Sequence, residues 1–267
     1  MWRLIDSGPG PGALNLALDE AIFRSVRDGV SPPTLRFYAW SAPTLSLGYT
    51  QDRARDVNLE ACSARGIAVV RRITGGRAVL HDREVTYSVC APAGASLFGT
   101  GLEVAYRTVA AGLVAGLRQL GLAAVAGLRD PTRRGRHPGC FAASARHEIE
   151  VGGRKIVGSA QRRVRGAFLQ QGSILLESHE TLLGQVLLPG AAAAPGKMAG
   201  LAEFLPHCPT YDAVAAAIAA GCERAWGVTF LAGALCRAET LLARELEGRR
   251  YGSEEWNAGR RLGAPAV

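Results

Sequence analysis

Three short stretches of this 267-residue chain carry residue types able to do chemistry. The densest runs Arg71-Arg72-Ile73-Thr74-Gly75-Gly76-Arg77-Ala78-Val79-Leu80-His81-Asp82, a glycine pair set between arginines after an apolar run. Paired glycines let the backbone approach a ligand closely, and arginines beside them suit an anionic or carbonyl-bearing group. A glycine turn beside a basic strand end is also common without any ligand, so the segment reads either as a binding loop or as a plain turn. It lacks the Gly-Lys-Ser/Thr of a P-loop and the second glycine pair of a dinucleotide fingerprint.

The second stretch is Gly139-Cys140-Phe141, at the end of a loop that carries Arg133, Arg134, Arg136 and His137. Positive potential lowers a thiol pKa and populates the thiolate, which is the nucleophilic form. Cys140 therefore reads as a reactive thiol or as a packing cysteine. The third is Gly153-Arg154-Lys155-Ile156-Val157-Gly158-Ser159-Ala160, in a chain whose only lysines are Lys155 and Lys197. A compact ammonium, able to hydrogen-bond in a pocket or shift its pKa, is one reason to keep Lys rather than Arg there. An ordinary strand lysine is the other reading. Strand alternation puts Lys155 and Val157 on one face and Ile156 on the other.

Other constellations are excluded. His81, His137, His147 and His179 stand singly, with no Ser-His-Asp order around an elbow motif, which argues against a serine hydrolase. The cysteines at 62, 90, 140, 208, 222 and 236 form no Cys-x-x-Cys pair and have no histidine at ligand spacing. Neither a metal site nor a disulfide framework is expected.

The elements that must position these residues follow from periodicity. Residues 2–5 read as a first strand, 8–12 as a Gly/Pro loop, and 13–26 as a helix with apolar positions at helical spacing. Strands are expected at 34–40 and 44–49, a short helix near 57–64, and strands at 67–71 and 85–89. Residues 102–120 form the clearest amphipathic helix, ended by Gly121. Around Gly152-Gly153 the segments 147–151 and 155–159 make a two-residue hairpin. A strand at 167–176 and helices at 180–187, 212–226 and 235–246 complete the chain. Hairpins outnumber strand–helix–strand units, so the expected class is α+β (mixed α/β), with a mixed, largely antiparallel sheet flanked by helices.

Composition sets the outer bounds. With 48% hydrophobic and 20% charged residues the chain suits a soluble globular protein, and its mean hydropathy is +0.08. The longest apolar stretch, 109–128, is broken by Arg118 and Gln119 and reads as a packed helix followed by a strand. No membrane association is expected, and the first residues lack a signal-peptide pattern, so the expected location is cytoplasmic. A net charge of +8 and a pI near 9.6 fit a solvated surface or an acidic partner, either nucleic acid or an acidic carrier protein.

Taken together, the segments resemble the lipoate-protein ligase and biotin ligase superfamily. The matching pieces are Asn15-Leu16-Ala17-Leu18-Asp19-Glu20, Pro43-Thr44-Leu45-Ser46-Leu47-Gly48, and Arg71-Arg72-x-Thr74-Gly75-Gly76 with Ala78-Val79-x-His81-Asp82. Lys155-Ile156-Val157-Gly158-Ser159-Ala160-Gln161, Gln171-Gly172-Ser173-Ile174-Leu175 and the tail Tyr251-x-Ser253-x-Glu255-Trp256-Asn257 complete the set. Within it, Cys140-Phe141-Ala142-Ala143, followed by Lys155, is similar to the catalytic pair of cysteine-dependent octanoyltransferases. The usual Pro-Ser step after Cys-Phe is reduced to Ser144, and the third glycine of the ligase loop is replaced by Arg77.

The resemblance implies a ligase-like catalytic domain over 1–210 and a C-terminal helical extension over 211–267. It implies Cys140 and Lys155 as catalytic residues, and substrate binding by Arg72, Thr74, Gly75, Gly76, Arg77, Ala78, Val79, His81, Gly158 and Ser159. Amide groups of 75–78 become candidates for holding an oxyanion. The implied reaction moves an octanoyl group from octanoyl-acyl-carrier protein, through a Cys140 thioester, to a lysine of a lipoyl-accepting protein such as glycine cleavage H protein. No cofactor is then needed. Three competitors remain: an octanoyl amidotransferase between lipoyl domains, an ATP-dependent lipoate ligase, and a basic nucleic-acid-binding module. The last is poorly supported, because with 6% aromatic residues the basic runs have no stacking partners.

Overall fold

In a computed structural model of the chain, the described residues are 1–94, 97–127, 148–191 and 196–259. Cys140 lies outside them, as do the basic loop 129–139, Ser144 and His147.

The chain begins with β1 (Trp2–Gly10), α1 (Gly12–Arg27), β2 (Thr34–Trp40), β3 (Thr44–Leu47), α2 (Arg53–Asp56), α3 (Leu59–Ala64), β4 (Ala68–Arg71), β5 (Val79–His81) and β6 (Glu84–Pro92). It continues with α4 (Leu102–Gln119), β7 (Val125–Ala126), β8 (Ile149–Val151), β9 (Arg154–Val164), β10 (Ala167–Leu175) and α5 (Glu180–Val186). Helix α6 (Tyr211–Trp226), β11 (Phe230–Ala232), α7 (Arg237–Leu246) and α8 (Glu254–Ala258) close it.

Among the described residues the larger sheet has eight strands in the order β11-β1-β2-β6-β10-β9-β8-β7, and a smaller one has the order β4-β3-β5. In the larger sheet β11, β1 and β2 run parallel and the remaining neighbours antiparallel. The sheet is therefore mixed and largely antiparallel, as expected.

Strands β6 and β10 lie in its middle and are buried on both faces. Alternation along β2 shows how. Leu35 and Phe37 enter the apolar cluster that holds α4 and α6, whereas Arg36 and Tyr38 point to α1. There Asp19 accepts hydrogen bonds from Arg36 Nη1 at 2.6 Å, Tyr38 Oη at 2.8 Å and Ser88 Oγ at 2.7 Å. A carboxylate this deep is tolerable only when it is so fully paired. A third apolar cluster joins the small sheet to α3, α5 and Met198. No helix among the described residues is long and apolar enough to cross a membrane.

Several boundaries differ from the sequence expectation. Residues 8–10, expected in a loop, continue β1 past a register shift between Asp6 and Pro9. Beyond Leu4 that strand has no partner on the β11 side among the described residues, so the missing N–H of Pro9 costs no ladder bond to them there. The strand expected to reach Tyr49 stops at Leu47; the helix expected at 57–64 is present as α3, capped by Asn58, and the short helix α2 before it was not expected. Segment 211–267 contributes strand β11 as well as helices, and α6 shares a core cluster with α4. Strands β5, β7 and β11 are two or three residues long, too short to show a period.

The predicted hairpin is present. Gly152 (φ +57°) and Gly153 (φ +76°) make the turn, and Val151 pairs with Arg154. Two consecutive left-handed residues match the strand twist, and glycine reaches them without strain. One detail is corrected. Lys155 and Val157 do not share a face in the expected way, because a register shift between Ile149 and Glu150 interrupts the ladder. Val157 is buried in the core, and the Lys155 side chain reaches across Gly158 instead.

Candidate active site

Where the small sheet faces β9 and β10 there is a cleft of about 640 Å³, its open mouth included. One wall is the segment from Arg72 to β5, and the other is β9 and β10 with Glu148 at the entry to β8.

The loop wall is held from below by two arginines. Arg71 is buried, and its guanidinium donates to the carbonyls of Gln51 (2.7 Å), Gly48 (3.1 Å), Trp256 (3.1 Å) and Asn257 (3.1 Å). Its backbone N–H donates to Asn257 Oδ1 at 2.8 Å, and its carbonyl accepts from Trp256 Nε1 at 2.8 Å. The C-terminal tail is thus clamped to the end of β4. Tyr251 adds a bond to Glu20 Oε2 at 2.6 Å, so the tail and the Asn15–Glu20 segment serve one framework.

Arg72 then organises the glycines. Nε donates to Thr74 Oγ1 (3.2 Å), Nη1 to Ser46 O (3.0 Å) and Oγ (2.9 Å), and Nη2 to Gly75 O (2.8 Å) and Arg77 O (2.7 Å). All these partners are neutral, and burial pulls the guanidinium pKa down to about 10. With its N–H groups spent on protein oxygens, Arg72 shapes the loop. Turning the Gly75 and Arg77 carbonyls inward leaves the N–H groups of Gly76 and Ala78 directed away from Arg72. Neither donates to another described residue. Gly76 has φ +90°, and its carbonyl packs so tightly on Gly48 that a Cβ there would lie 1.9 Å from the oxygen.

His81 links the loop to the large sheet. Its Nε2 lies 2.7 Å from Ser46 Oγ and its Nδ1 lies 2.8 Å from Glu84 Oε1, while its ring stacks on Trp40 at 3.9 Å. A carboxylate oxygen only accepts, so the Nδ1–H faces Glu84, and Ser46 Oγ lies between Nε2 and the Arg72 guanidinium. Thr86, Ser173 and Trp40 also donate to Glu84 Oε1. Burial opposes ionisation of Glu84, but the charge and hydrogen bond of His81 outweigh it and hold the carboxyl below its usual range. The row Ser46–His81–Glu84 has the residue types of a hydrolase triad. Ser46 is nevertheless fully buried and its hydroxyl is engaged on both sides, so it is no nucleophile.

On the opposite wall Lys155 Nζ donates to Glu148 Oε1 at 2.6 Å, their side chains 16% and 18% exposed. Lys155, Gly158 and Ser173 also line an adjoining apolar recess of about 410 Å³, its opening to solvent included, walled by Val79, Leu80, Ile156, Leu175, Leu183 and Met198.

Of the residues expected at the site, Arg72, Gly76, Arg77, Ala78, Val79, His81, Lys155, Gly158 and Ser159 line the cleft. Thr74 is buried behind it, donating to Gln171 Oε1 at 3.2 Å, and Gly75 contributes its carbonyl to Arg72. Cys140 lies outside the described residues. Ser46, Glu148, Gln171 and Ser173 also line the cleft. The Gln171-Gly172-Ser173 run carried a signal in its motif. Glu148 carried none, being one acid among others beside a hairpin. No cluster of three or more His, Cys, Asp or Glu side chains able to hold a metal ion occurs among the described residues.

The model of the lipoyl protein ligase A/B catalytic domain matches residues 11–223. The octanoyltransferase LipM of Symbiobacterium thermophilum is 42% identical over 269 residues, covering 96% of this chain and 97% of its own. That of Moorella thermoacetica is 40% identical over 265 residues, with 96% and 97% covered. Among solved structures, lipoate-protein ligase A bound with ATP is similar with a TM-score of 0.83 and 30% identity, covering 96% of this chain and 98% of its own.

Proposed function

The chain belongs to the lipoyl protein ligase A/B catalytic domain family, and from that premise we propose that it is an octanoyltransferase of protein lipoylation. The observation that carries the reading is the position of Lys155, where the polar cleft meets the apolar recess. An acyl chain needs such a recess, and a reacting carbonyl needs a cation at its mouth. Burying the carbons beyond an octanoyl carbonyl contributes about 0.8 kcal/mol per methylene, or about 5 kcal/mol in all.

In this reading the Cys140 thiolate attacks the thioester carbonyl of octanoyl-acyl-carrier protein. The carrier's sulfur leaves with the C–S electron pair and takes a proton, and the octanoyl group remains on Cys140. The amine of a lysine on a lipoyl-accepting protein, of the glycine cleavage H protein type, then attacks that thioester. Cys140 leaves as thiolate and an amide results. A cysteine suits both halves, being a good nucleophile and a good leaving group. The Lys155 ammonium stabilises the thiolate, and the amides of Gly76 and Ala78 stabilise the tetrahedral oxyanion. The acyl group arrives activated, so the transfer consumes no ATP and needs no cofactor. The net charge of +8 steers acidic partners to this cytoplasmic enzyme.

The test is intact-protein mass spectrometry after mixing with octanoyl-acyl-carrier protein in the absence of ATP. Wild type is expected to gain a hydroxylamine-labile octanoyl adduct that Cys140→Ala lacks. No adduct, with acyl-adenylate formed from free acid and ATP, would make the chain a ligase. Loading only from an octanoylated H protein would make it an amidotransferase.

A further inference from the structure

The charged side chains that line the cleft are unevenly signed. Arg72 and Arg77 come from the loop and Lys155 from β9, with His81 of β5 the other titratable group. Glu148 is the only acid among the described lining residues. Glu84 lies behind the wall, its Oε1 taken up by His81, Thr86, Ser173 and Trp40. Glu148 instead sits at the cleft surface, its side chain 18% exposed and bonded to Lys155 Nζ at 2.6 Å.

The octanoyl-transfer reading, on which this inference rests, requires two chemically different partners at one place. The donor brings a neutral thioester. The acceptor brings a lysine that is an ammonium at neutral pH, with an ordinary pKa near 10.4. A cleft lined by three cations repels that ammonium, and an ammonium has no lone pair with which to attack. We propose that Glu148 receives the acceptor lysine and takes its proton, acting as the base of the second half-reaction.

The step balances. The acceptor ammonium gives one proton to the Glu148 carboxylate, and the freed nitrogen lone pair forms the N–C bond to the thioester carbonyl. The C–S bond breaks with its electron pair passing to Cys140 Sγ. The second nitrogen proton passes to solvent as the amide forms, Cys140 returns to its thiolate beside Lys155, and Glu148 releases its own proton to solvent. Adjacent Lys155 keeps the Glu148 carboxylate directed into the cleft between turnovers.

The experiment separates this role from simple support of Lys155. Full-length wild type, Glu148→Gln and Glu148→Asp are loaded to completion with octanoyl donor. Each loaded enzyme is then mixed in single turnover with an apo lipoyl-domain protein or with hydroxylamine, a nucleophile that is neutral at pH 7. Gln keeps an oxygen for Lys155 but accepts no proton. For Glu148→Gln the ratio of lysine transfer to hydroxylaminolysis is expected to fall about 100-fold at pH 7, the usual scale of general base catalysis. It should recover about tenfold per pH unit as free amine is supplied by solvent, and Glu148→Asp should restore most of it at pH 7. An unchanged ratio, or equal slowing with both nucleophiles, would overturn the proposal. If wild type itself forms no acyl-enzyme, the underlying octanoyl-transfer reading fails, a result visible before any variant is compared.

Discussion

The ammonium end of Lys155 lies directly over Gly158, so close that a Cβ at 158 would stand 3.0 Å from Lys155 Cε and 3.1 Å from Nζ. Gly158 belongs to the same strand as the lysine and has an ordinary backbone conformation. Its missing side chain is therefore a matter of space, and that space is where the lysine reaches the cleft.

Replacing Gly158 with Ala should move Lys155 by a few tenths of an ångström without disturbing the strand. Stability should hold or rise by up to about 1 kcal/mol, because alanine loses less backbone entropy on folding. Turnover should nevertheless fall about tenfold through misplacement of the ammonium. Thermal unfolding together with steady-state kinetics checks both halves, and a variant as active as wild type would show that the position of Lys155 does not matter.

Gly48→Ala makes the opposite prediction. Its Cβ would stand 1.9 Å from the Gly76 carbonyl oxygen, with backbone on both sides of the clash. The glycine loop must shift and Arg72 lose part of its cradle, at a cost of about 2–4 kcal/mol. A lower urea midpoint with unchanged m-value is the expected signature.

The recess predicts acyl-length selectivity. Leu183 is 5% exposed and sits in its wall. Leu183→Phe should shift preference from octanoyl toward hexanoyl donors, and Leu183→Val toward decanoyl, by about fourfold per methylene. Competition among the three donors, read as acyl-enzyme mass, decides it. An unaltered profile in both variants would place the chain elsewhere.

Glu84 predicts a pH dependence of stability. Its folded pKa lies below its ordinary value of 4.5, so the carboxylate's contribution is complete above the unfolded pKa and is lost as pH falls through the folded one. Glu84→Gln removes this contribution and sets an amide among donors, costing about 1–3 kcal/mol at neutral pH. The Tm gap between wild type and variant should be widest at pH 6–7 and narrow as pH falls below 4.5 and on through the lower folded pKa. A gap constant across that range would refute the assignment.

Much of the fold was legible because its helices and strands are long enough to display a period. Helices α1, α4 and α6 and strands β2 and β10 show theirs within a few residues, whereas β9 runs on to Val164, past its expected end at 159. The glycine turn at 152–153 announces its hairpin through a conformation that other residues avoid. What escaped were the three-residue strands β5 and β11 and the continuation of β1 through Pro9, which depend on a neighbour to pair with.

The site divides in the same way. Residue types and order, read along the chain, determined the glycine loop, the hairpin lysine and the reactive-cysteine candidate, because a motif is a local property. Tertiary structure alone decided that Arg72 spends its donors on the loop while Lys155 faces the cleft, and that Thr74 lies behind the wall. It also brought Glu148 to Lys155 and Ser46 to His81, the second pair across 35 residues of chain. The first pair forms across the β8–β9 hairpin and the second between the neighbouring strands β3 and β5, so both wait on strand pairing and on the packing that seats each side chain. Charge and hydrogen-bonding capacity are written in each residue, whereas the partner that satisfies them is chosen only when the sheets close.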